Sequence, residues 1–275
     1  MWPFIYHSES MVLPTYIVIN SLVFSLGVFW IYLRAAKYHL NQNHVLDVSL
    51  AAMIGIFVGA RGFHILIEHP GFYWEHPSFV LKIWYGGFVF YGGVIGGLLS
   101  SYWLCRKRGY DFWRMGDLMS PVFAAGYAVG RLGCLAAGCC FGLPTGMPWG
   151  IYFPQGGEAP AGIPLHPTQI YSSLWEACVL ALLLFLERRS KSGKSDSKYP
   201  GFGARGQLFG SWFALHGLGR AIVEQFRDDF RGPTLFNLSI STWISGAAIM
   251  FGIYIVATSR QPKERETKHH ASTAV

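Results

Sequence analysis

Three arginines lie inside long apolar runs of the sequence, where charged side chains are uncommon. They are Arg61 in VGARGFHIL, Arg131 in VGRLGC and Arg220 in LGRAIVEQF. A charge inside a bilayer costs several kcal/mol unless it is paired or faces water. Glu224 follows Arg220 by four residues, so the two lie on one helical face and can neutralise each other. The remaining positive charge predicts a water-filled cavity or a bound anion, and guanidinium groups bind a phospholipid phosphate well.

Glycine and polar residues at the ends of other runs allow two readings. The stretch WYGGFVFYGGVIGG contains the pair Gly92 and Gly93. Small residues let helices pack closely, and open backbone N–H groups at a helix start can face an anion. In LHPTQIY, Thr168 is a plausible helix cap. His166 and Gln169 either belong to that cap or present polar groups at the membrane surface.

Three cysteines, Cys134, Cys139 and Cys140, follow Arg131 closely. They can pack as small apolar side chains beside glycine and alanine. A disulfide between Cys134 and either neighbour, or a thiol activated by Arg131, are alternatives. Zinc binding by the three thiols with His166 is disfavoured because Cys-x4-Cys-Cys is not a usual ligand spacing. We therefore assign a thiol or redox site here, with no metal and no cofactor.

The elements that position these residues are membrane-spanning helices. Of the residues, 52% are hydrophobic and only 13% are charged, whereas soluble domains average about 25% charged. The apolar runs approach about 20 residues, which is the length that crosses a bilayer. They predict an all-α polytopic protein with about seven spans, over Val12–Leu33, Val45–Ile67, Phe88–Cys105, Leu118–Ala137, Gln169–Leu186, Gln207–Phe226 and Leu238–Ala257.

Lysine and arginine are distributed unequally between the two predicted faces. The loops after the first, third and fifth spans and the C-terminal tail hold nearly all of those outside the spans, while the opposite face has Lys82, Arg227 and Arg231. The positive-inside rule then places the N-terminus outside and the C-terminus in the cytoplasm. The net charge of +7 follows from this asymmetry and from anionic lipid headgroups. It therefore gives no reason to expect a nucleic-acid partner.

The chain is predicted to form a single transmembrane domain over 1–260. The loop 138–168 is rich in glycine, proline and aromatic residues, and we expect a structured cap on the outer face. The stretch 187–206 is rich in serine, lysine and glycine and predicts a cytoplasmic linker. The polar residues 261–275 predict a disordered cytoplasmic tail.

Taken in order, the motifs resemble one family. IWYGGFVFYGGVIGG, GRLGCLAAGCCFG, HPTQIY and GRAIVEQFR, together with GARGFHIL, are similar to those of the prolipoprotein diacylglyceryl transferases. The resemblance implies a multi-pass protein of the bacterial inner membrane. It also implies that a diacylglyceryl group moves from phosphatidylglycerol to the lipobox cysteine thiol of a prolipoprotein, so the partners are these two substrates and membrane lipids. Glycerol phosphate leaves, and the product is a thioether.

Residue roles follow from the matching motif positions. The resemblance implies catalytic roles for Arg131, Arg220, Glu224 and Tyr91, and substrate-binding roles for Arg61, Gly92, Gly93, Gly133, Gly142, His166, Gln169, His216 and Asn20. Arginines at these positions would stabilise the phosphate that leaves. A base is also needed to form the attacking thiolate.

The sequence departs from the family pattern at several polar positions. Cys134 replaces an asparagine, Cys139 a glutamate, Tyr91 a histidine and His216 a tyrosine, while Asn20 lies near the place of a first-span tyrosine. Tyr91, His216 or His166 would then handle the proton. Two alternatives remain open. One is a divergent paralogue with another acceptor, and the other is a non-catalytic phospholipid-binding or transport protein.

Overall fold

A computed structural model describes residues 4–7, 12–82, 87–154, 158–189, 204–228, 234–235 and 238–259 of the chain. Most of the predicted linker, at 190–203, and the predicted tail, 261–275, lie outside the described residues. In the loop after the sixth predicted span, residues 229–233, which include Arg231, and 236–237 lie outside them as well.

The described chain is built mainly from long helices. They are α1 Thr15–Ala35, α2 Gln42–Phe63, α4 Phe90–Arg108, α5 Phe112–Ala137, α6 Thr168–Arg189, α7 Gln207–Glu224 and α8 Ile240–Thr258, with a short helix α3 at Pro70–Glu75. Three antiparallel strand pairs join them, namely β1 Phe4–His7 with β2 Val12–Pro14, β3 Ile151–Tyr152 with β4 Pro164–Leu165, and β5 Thr234–Leu235 with β6 Leu238–Ser239. The mostly helical architecture agrees with the predicted fold class.

Five of these helices are long and apolar enough to cross a membrane. They are α1, α2, α5, α6 and α8, with α1 extended to Tyr38 and α2 to Glu68. The other two long helices are more polar. Helix α4 ends in three consecutive basic residues, and α7 carries Arg220 and Glu224. A multi-pass membrane protein follows from the five apolar helices, and the full set of seven spans remains a prediction.

Helix α5 begins earlier than the sequence predicted. Its first residue is Phe112 rather than Leu118, because the Asp111 side chain caps the helix by accepting from the Arg114 N–H. Asp117, which the hydropathy pattern excluded from the span, is buried inside the bundle. Its carboxylate accepts from the backbone N–H groups of Gly206 and Phe209, at 2.7 and 3.0 Å, and so caps the start of α7.

Each end of the bundle has its own polar cluster. We name the ends after Arg131, near the C-terminus of α5, and Glu187, near the C-terminus of α6. At the Glu187 end, the fully buried Glu187 carboxylate accepts from Arg34 at 2.8 Å and from the Tyr38 hydroxyl at 2.7 Å, and Lys37 lies 2.6 Å away. Removal of one partner from such a buried ion pair is strongly destabilising, by about 3–5 kcal/mol.

Glycines bring α2 and α4 into backbone contact. A Cβ atom at Gly96 would lie 2.1 Å from the carbonyl oxygen of Gly55, and one at Gly59 would lie 2.2 Å from that of Gly92. No side chain larger than hydrogen fits without separating the helices. Close packing of the two helices therefore explains why Gly92 and Gly96 are glycines.

We expect Gly96→Ala to lower the melting temperature of the detergent-purified protein by several degrees. The added methyl group must push α2 and α4 apart, and overpacking of this kind costs about 1–3 kcal/mol. Gly62→Ala on α2 is the matched control, because a Cβ atom there meets no neighbour within 4 Å. Equal melting temperatures for both variants would contradict the close packing of the two helices.

Candidate functional site

A histidine–carboxylate pair lies between α6 and α7. The His216 Nδ1 atom is 2.6 Å from the Oε1 atom of Glu176, and Glu176 is almost fully buried. Two aromatic rings hold the imidazole. Trp212 stacks on it with ring centroids 5.1 Å apart, and Tyr127 of α5 meets it edge-on at 4.7 Å. The carboxylate contact engages Nδ1 of His216 and leaves Nε2 available to exchange a proton with a substrate.

Arg131 reaches this cluster through Tyr127. Its guanidinium group donates to the Tyr127 hydroxyl and lies 4.7 Å from the centroid of the same ring. The two residues are one helical turn apart on α5, so the backbone itself sets them face to face. Arg131, Tyr127, His216 and Glu176 thus form one continuous line of contacts across three helices.

Arg220 and Glu224 form the ion pair that their spacing predicts. Arg220 Nη1 is 2.7 Å from the Oε2 atom of Glu224, and both side chains are largely buried, with exposed fractions of 14% and 10%. The Ser239 hydroxyl, at the start of α8, donates to the other carboxylate oxygen at 2.6 Å. The carboxylate of Glu224 is therefore held from two helices, and it holds the guanidinium group of Arg220 in place.

These contacts border a small, partly open cavity between α5, α6 and α7. Its lining residues are Tyr127, Ser172, Trp175, Glu176, His216, Gly219 and Arg220. Arg220 faces it directly, and Arg131 contacts its wall at Tyr127. The guanidinium group of Arg220 can bind an anion at this cavity. The phenol of Tyr127 and the imidazole of His216 can transfer a proton there.

The loop after α5 folds over the same end of the bundle, and it contains a small apolar core of Phe153, Ala159 and Leu165. The predicted residue His166 belongs to this layer. Its Nδ1 atom is 2.9 Å from the Tyr171 hydroxyl, and the Tyr171 hydroxyl also accepts from the indole of Trp149 at 2.8 Å. Gly142 packs so closely on His166 that a Cβ atom would lie 2.7 Å from its Cβ.

The three predicted cysteines come together at the end of α5. The sulfur atoms of Cys134, Cys139 and Cys140 lie within 4.8 Å of one another, and all three cysteines are free thiols. Gln169, which is fully buried, donates its amide to the carbonyl of Cys139 at 2.7 Å. The predicted residue Gln169 therefore positions the cysteine turn.

Arg61 lies at the same end of the bundle, on α2. Its guanidinium group donates to the carbonyls of Phe79 at 2.7 Å and Gly87 at 3.2 Å, and the side chain is only 8% exposed. These contacts tie the connection between α3 and α4 to α2. A substrate-binding role for Arg61 stays a prediction, and its observed contacts make it a positioning residue for this connection.

The remaining predicted residues lie at the edge of this region. Asn20 on α1 packs on α5, since a Cβ atom at Gly130 would lie 3.3 Å from its Oδ1 atom and one at Gly133 would lie 3.6 Å from its Nδ2 atom. Tyr91 lies in the first turn of α4, and Gly92 and Gly93 pack against α2. The structure thus places Arg220 and His216 at one cavity, while Arg131 and Glu224 contact its lining residues Tyr127 and Arg220. It places Arg61, Tyr91, Gly92 and Gly93 on the neighbouring α2–α4 pair.

Sequence reasoning missed two members of the central cluster. Tyr127 had a usable signal, because it stands four residues before Arg131 and shares its helical face. Glu176 is an acid inside the fifth predicted span, but nothing in the spacing joins it to His216, which is forty residues away in the chain. Only the packing of α6 on α7 creates that pair.

The apolar helices define a multi-pass membrane protein, and a cluster of polar and charged side chains lies inside its helix bundle. Over residues 3–258, the chain matches the sequence profile of the family described as prolipoprotein diacylglyceryl transferase. The chain belongs to this family.

Individual relatives agree with this assignment. The phosphatidylglycerol–prolipoprotein diacylglyceryl transferase of Clostridium tetani is 35% identical over 231 residues, which is 84% of this chain and 87% of the relative. The protein of the same name from Polynucleobacter necessarius is 34% identical, with 82% of each chain covered. The one from a Nostoc strain is 33% identical over 224 residues, with 80% of this chain and 75% of the relative covered.

We expect Arg61→Gln to speed amide hydrogen exchange by about tenfold or more in peptides that span Phe79–Lys82 and Gly87–Val89. The variant removes the guanidinium donors that hold the two carbonyls, so local opening becomes easier. Arg108→Gln is the matched control, because Arg108 is 58% exposed and its contact with Asp47 is long, at 3.9 Å. Unchanged exchange in the Arg61 variant would refute the positioning role.

Proposed function

We propose that this protein is a transferase that moves the diacylglyceryl group of phosphatidylglycerol to the lipobox cysteine thiol of a prolipoprotein. Its relatives carry the name of this activity. The observation that carries the proposal is that Arg220 and the His216–Glu176 pair line one small cavity, which Arg131 reaches through its contact with Tyr127. Such a site suits a reaction that releases a phosphate and consumes a thiol proton.

The reaction breaks one bond and forms another at the same carbon. The thiolate of the acceptor attacks the glycerol carbon that carries the phosphate, a carbon–sulfur bond forms, and the carbon–oxygen bond to the phosphate breaks. The electron pair of that bond leaves with glycerol phosphate, so negative charge grows on the leaving oxygen. Arg131 and Arg220 would stabilise this charge from preorganised positions, and Glu224 would orient Arg220.

His216 is our candidate for the base. Glu176 engages its Nδ1 atom at 2.6 Å, which orients the ring and leaves Nε2 as the atom that would take the thiol proton. The family position holds a tyrosine, so a histidine here changes the group that takes the proton. Tyr127 lies between His216 and Arg131: its hydroxyl accepts from Arg131, and its ring meets the His216 imidazole edge-on.

The protein's topology is part of the proposal. A single transmembrane domain over 1–260 would cross the bacterial inner membrane seven times, with the N-terminus outside, the cap 138–168 on the outer face and the C-terminus in the cytoplasm. The distribution of lysine and arginine supports this orientation. The site would then lie at the outer half of the bilayer, where a secreted precursor presents its cysteine.

The orientation can be measured with fusions to the full chain. A C-terminal green fluorescent protein should fluoresce, since it folds in the cytoplasm, and a C-terminal alkaline phosphatase should be inactive because it needs an oxidising compartment. The reverse pattern would overturn the orientation. An immunoblot of each fusion checks that the full chain was made.

The function is tested with purified protein, labelled phosphatidylglycerol and a synthetic lipobox peptide, with mass spectrometry of the peptide. We expect a thioether adduct with the native protein and a rate at least about 100-fold lower for Arg131→Gln, because one preorganised donor to the leaving group is lost. Arg205→Gln is the matched control, since Arg205 lies at the opposite end of the bundle, 42% exposed and paired with Asp111. Equal melting temperatures show that the variants fold.

Each outcome of this assay bears on the proposal. An adduct that depends on Arg131 supports it. Consumption of phosphatidylglycerol without a peptide adduct would show a transferase that uses another acceptor. This is the main alternative to the proposal, because Cys134 and Cys139 depart from the family motif. Lipid that binds and stays intact would refute any transfer chemistry.

A further inference from the structure

The three cysteines at the end of α5 form an arrangement that the proposed transfer does not use. Cys134 lies in the last turn of α5, and Cys139 and Cys140 follow in the turn after it. Their sulfur atoms lie within 4.8 Å of one another, and all three side chains are at least partly buried. We propose that Cys134, Cys139 and Cys140 bind one zinc ion through three thiolates.

The distances fit the chemistry of zinc. Zn–S bonds are about 2.3 Å long, so the sulfurs of a tetrahedral site lie about 3.8 Å apart. The observed upper limit of 4.8 Å exceeds this separation by about 1 Å. From the sequence alone, zinc is disfavoured because Cys-x4-Cys-Cys is not a usual spacing of zinc ligands. The structure shows that an unusual backbone conformation in this turn brings the three cysteines together.

Cys140 adopts a left-handed backbone conformation with φ +61°. Residues other than glycine rarely take this conformation, and it costs about 1–2 kcal/mol. It reverses the chain directly after Cys139, so that two consecutive cysteines can both face Cys134. Unusual backbone conformations of this kind persist where the surrounding structure holds them, and they occur often at binding sites.

The first turn of α6 holds the cysteine turn in place. The Thr168 hydroxyl donates to the carbonyl of Cys140 at 2.6 Å, and the Gln169 amide donates to the carbonyl of Cys139 at 2.7 Å. Thr168 and Gln169 are almost fully buried. The backbone that carries the sulfurs is therefore fixed by groups other than the sulfurs, as a preorganised metal site requires.

The charge of the site also balances. Three thiolates around a divalent ion leave one negative charge, and Arg131 stands three residues before Cys134 on the same face of α5. Its guanidinium group offsets that charge, whereas a monovalent ion would leave a second negative charge uncompensated. Three protein ligands leave the fourth position of zinc open for water or another small ligand.

The test uses the full-length protein in detergent, reduced with a phosphine, stripped with a chelator and titrated with Co²⁺ without oxygen. We expect one sulfur-to-cobalt charge-transfer signal that saturates at one ion per chain and disappears when Zn²⁺ is added. A second group, His64, Glu68 and His69, also brings its ligand atoms within 4.8 Å of one another. It contains no sulfur, so it cannot produce this signal.

Variants separate a built site from chance binding to thiols. Cys139→Ser/Cys140→Ser should abolish the signal, and Cys178→Ser is the matched control, because Cys178 is an exposed cysteine on α6. Thr168→Val keeps all three thiols but removes the hydroxyl that holds Cys140, so it should weaken Zn²⁺ affinity about tenfold or more.

Two results would overturn the zinc site. One is the absence of the charge-transfer signal from native protein that retains its three thiols by titration. The other is the loss of two hydrogens by mass spectrometry in air at a rate that Zn²⁺ does not slow, which would identify a disulfide pair. The readouts are independent of lipid transfer, so failure of the transfer assay leaves this test intact.

Discussion

Helix α6 connects the two polar ends of the bundle through Glu176 and Glu187. The two residues are eleven positions apart, which is three helical turns, so their side chains lie on one face about 16 Å from each other along the axis. Both are almost fully buried. Glu187 contacts Arg34 on α1, and Glu176 contacts His216 on α7. An unpaired carboxylate in this environment is too costly to retain. The two contacts therefore limit how α6 can rotate or slide against α1 and α7, and the cavity keeps its shape as a result.

That constraint explains why the site is assembled from several helices and still holds fixed positions. Tyr127 and Arg131 come from α5, His216 and Arg220 from α7, and each side chain has a partner that holds it. Because these side chains are ordered when the protein folds, no further free energy is needed to orient them during the reaction. The glycine contacts of α2 and α4 serve the same purpose beside the site, since Arg61 ties the neighbouring connection to that rigid pair.

Much of the architecture was predictable from the sequence, because apolar runs and buried charges are local signals. The helical class, the Arg220–Glu224 pair and the proximity of the three cysteines to Arg131 all follow from spacings within one helix or turn. The start of α5 was predicted too late, since Asp111 and Asp117 resemble loop residues until their capping contacts are known. The Glu176–His216 pair and the left-handed turn at Cys140 depend on packing between distant segments, so no periodicity in the sequence reveals them.

The location of the apolar core has a mechanical consequence. The buried residues that join α2 and α4 to α1 and α5 include Tyr38, Val45, Val48, Cys105 and Leu118, and all of them lie toward the Glu187 end. His44 stacks on Tyr110 at the same end, with ring centroids 4.1 Å apart. The α2–α4 pair is therefore held to α1 and α5 by apolar packing at the Glu187 end, so these two helices, joined to each other by their glycine contacts, depend on that end for their place in the bundle.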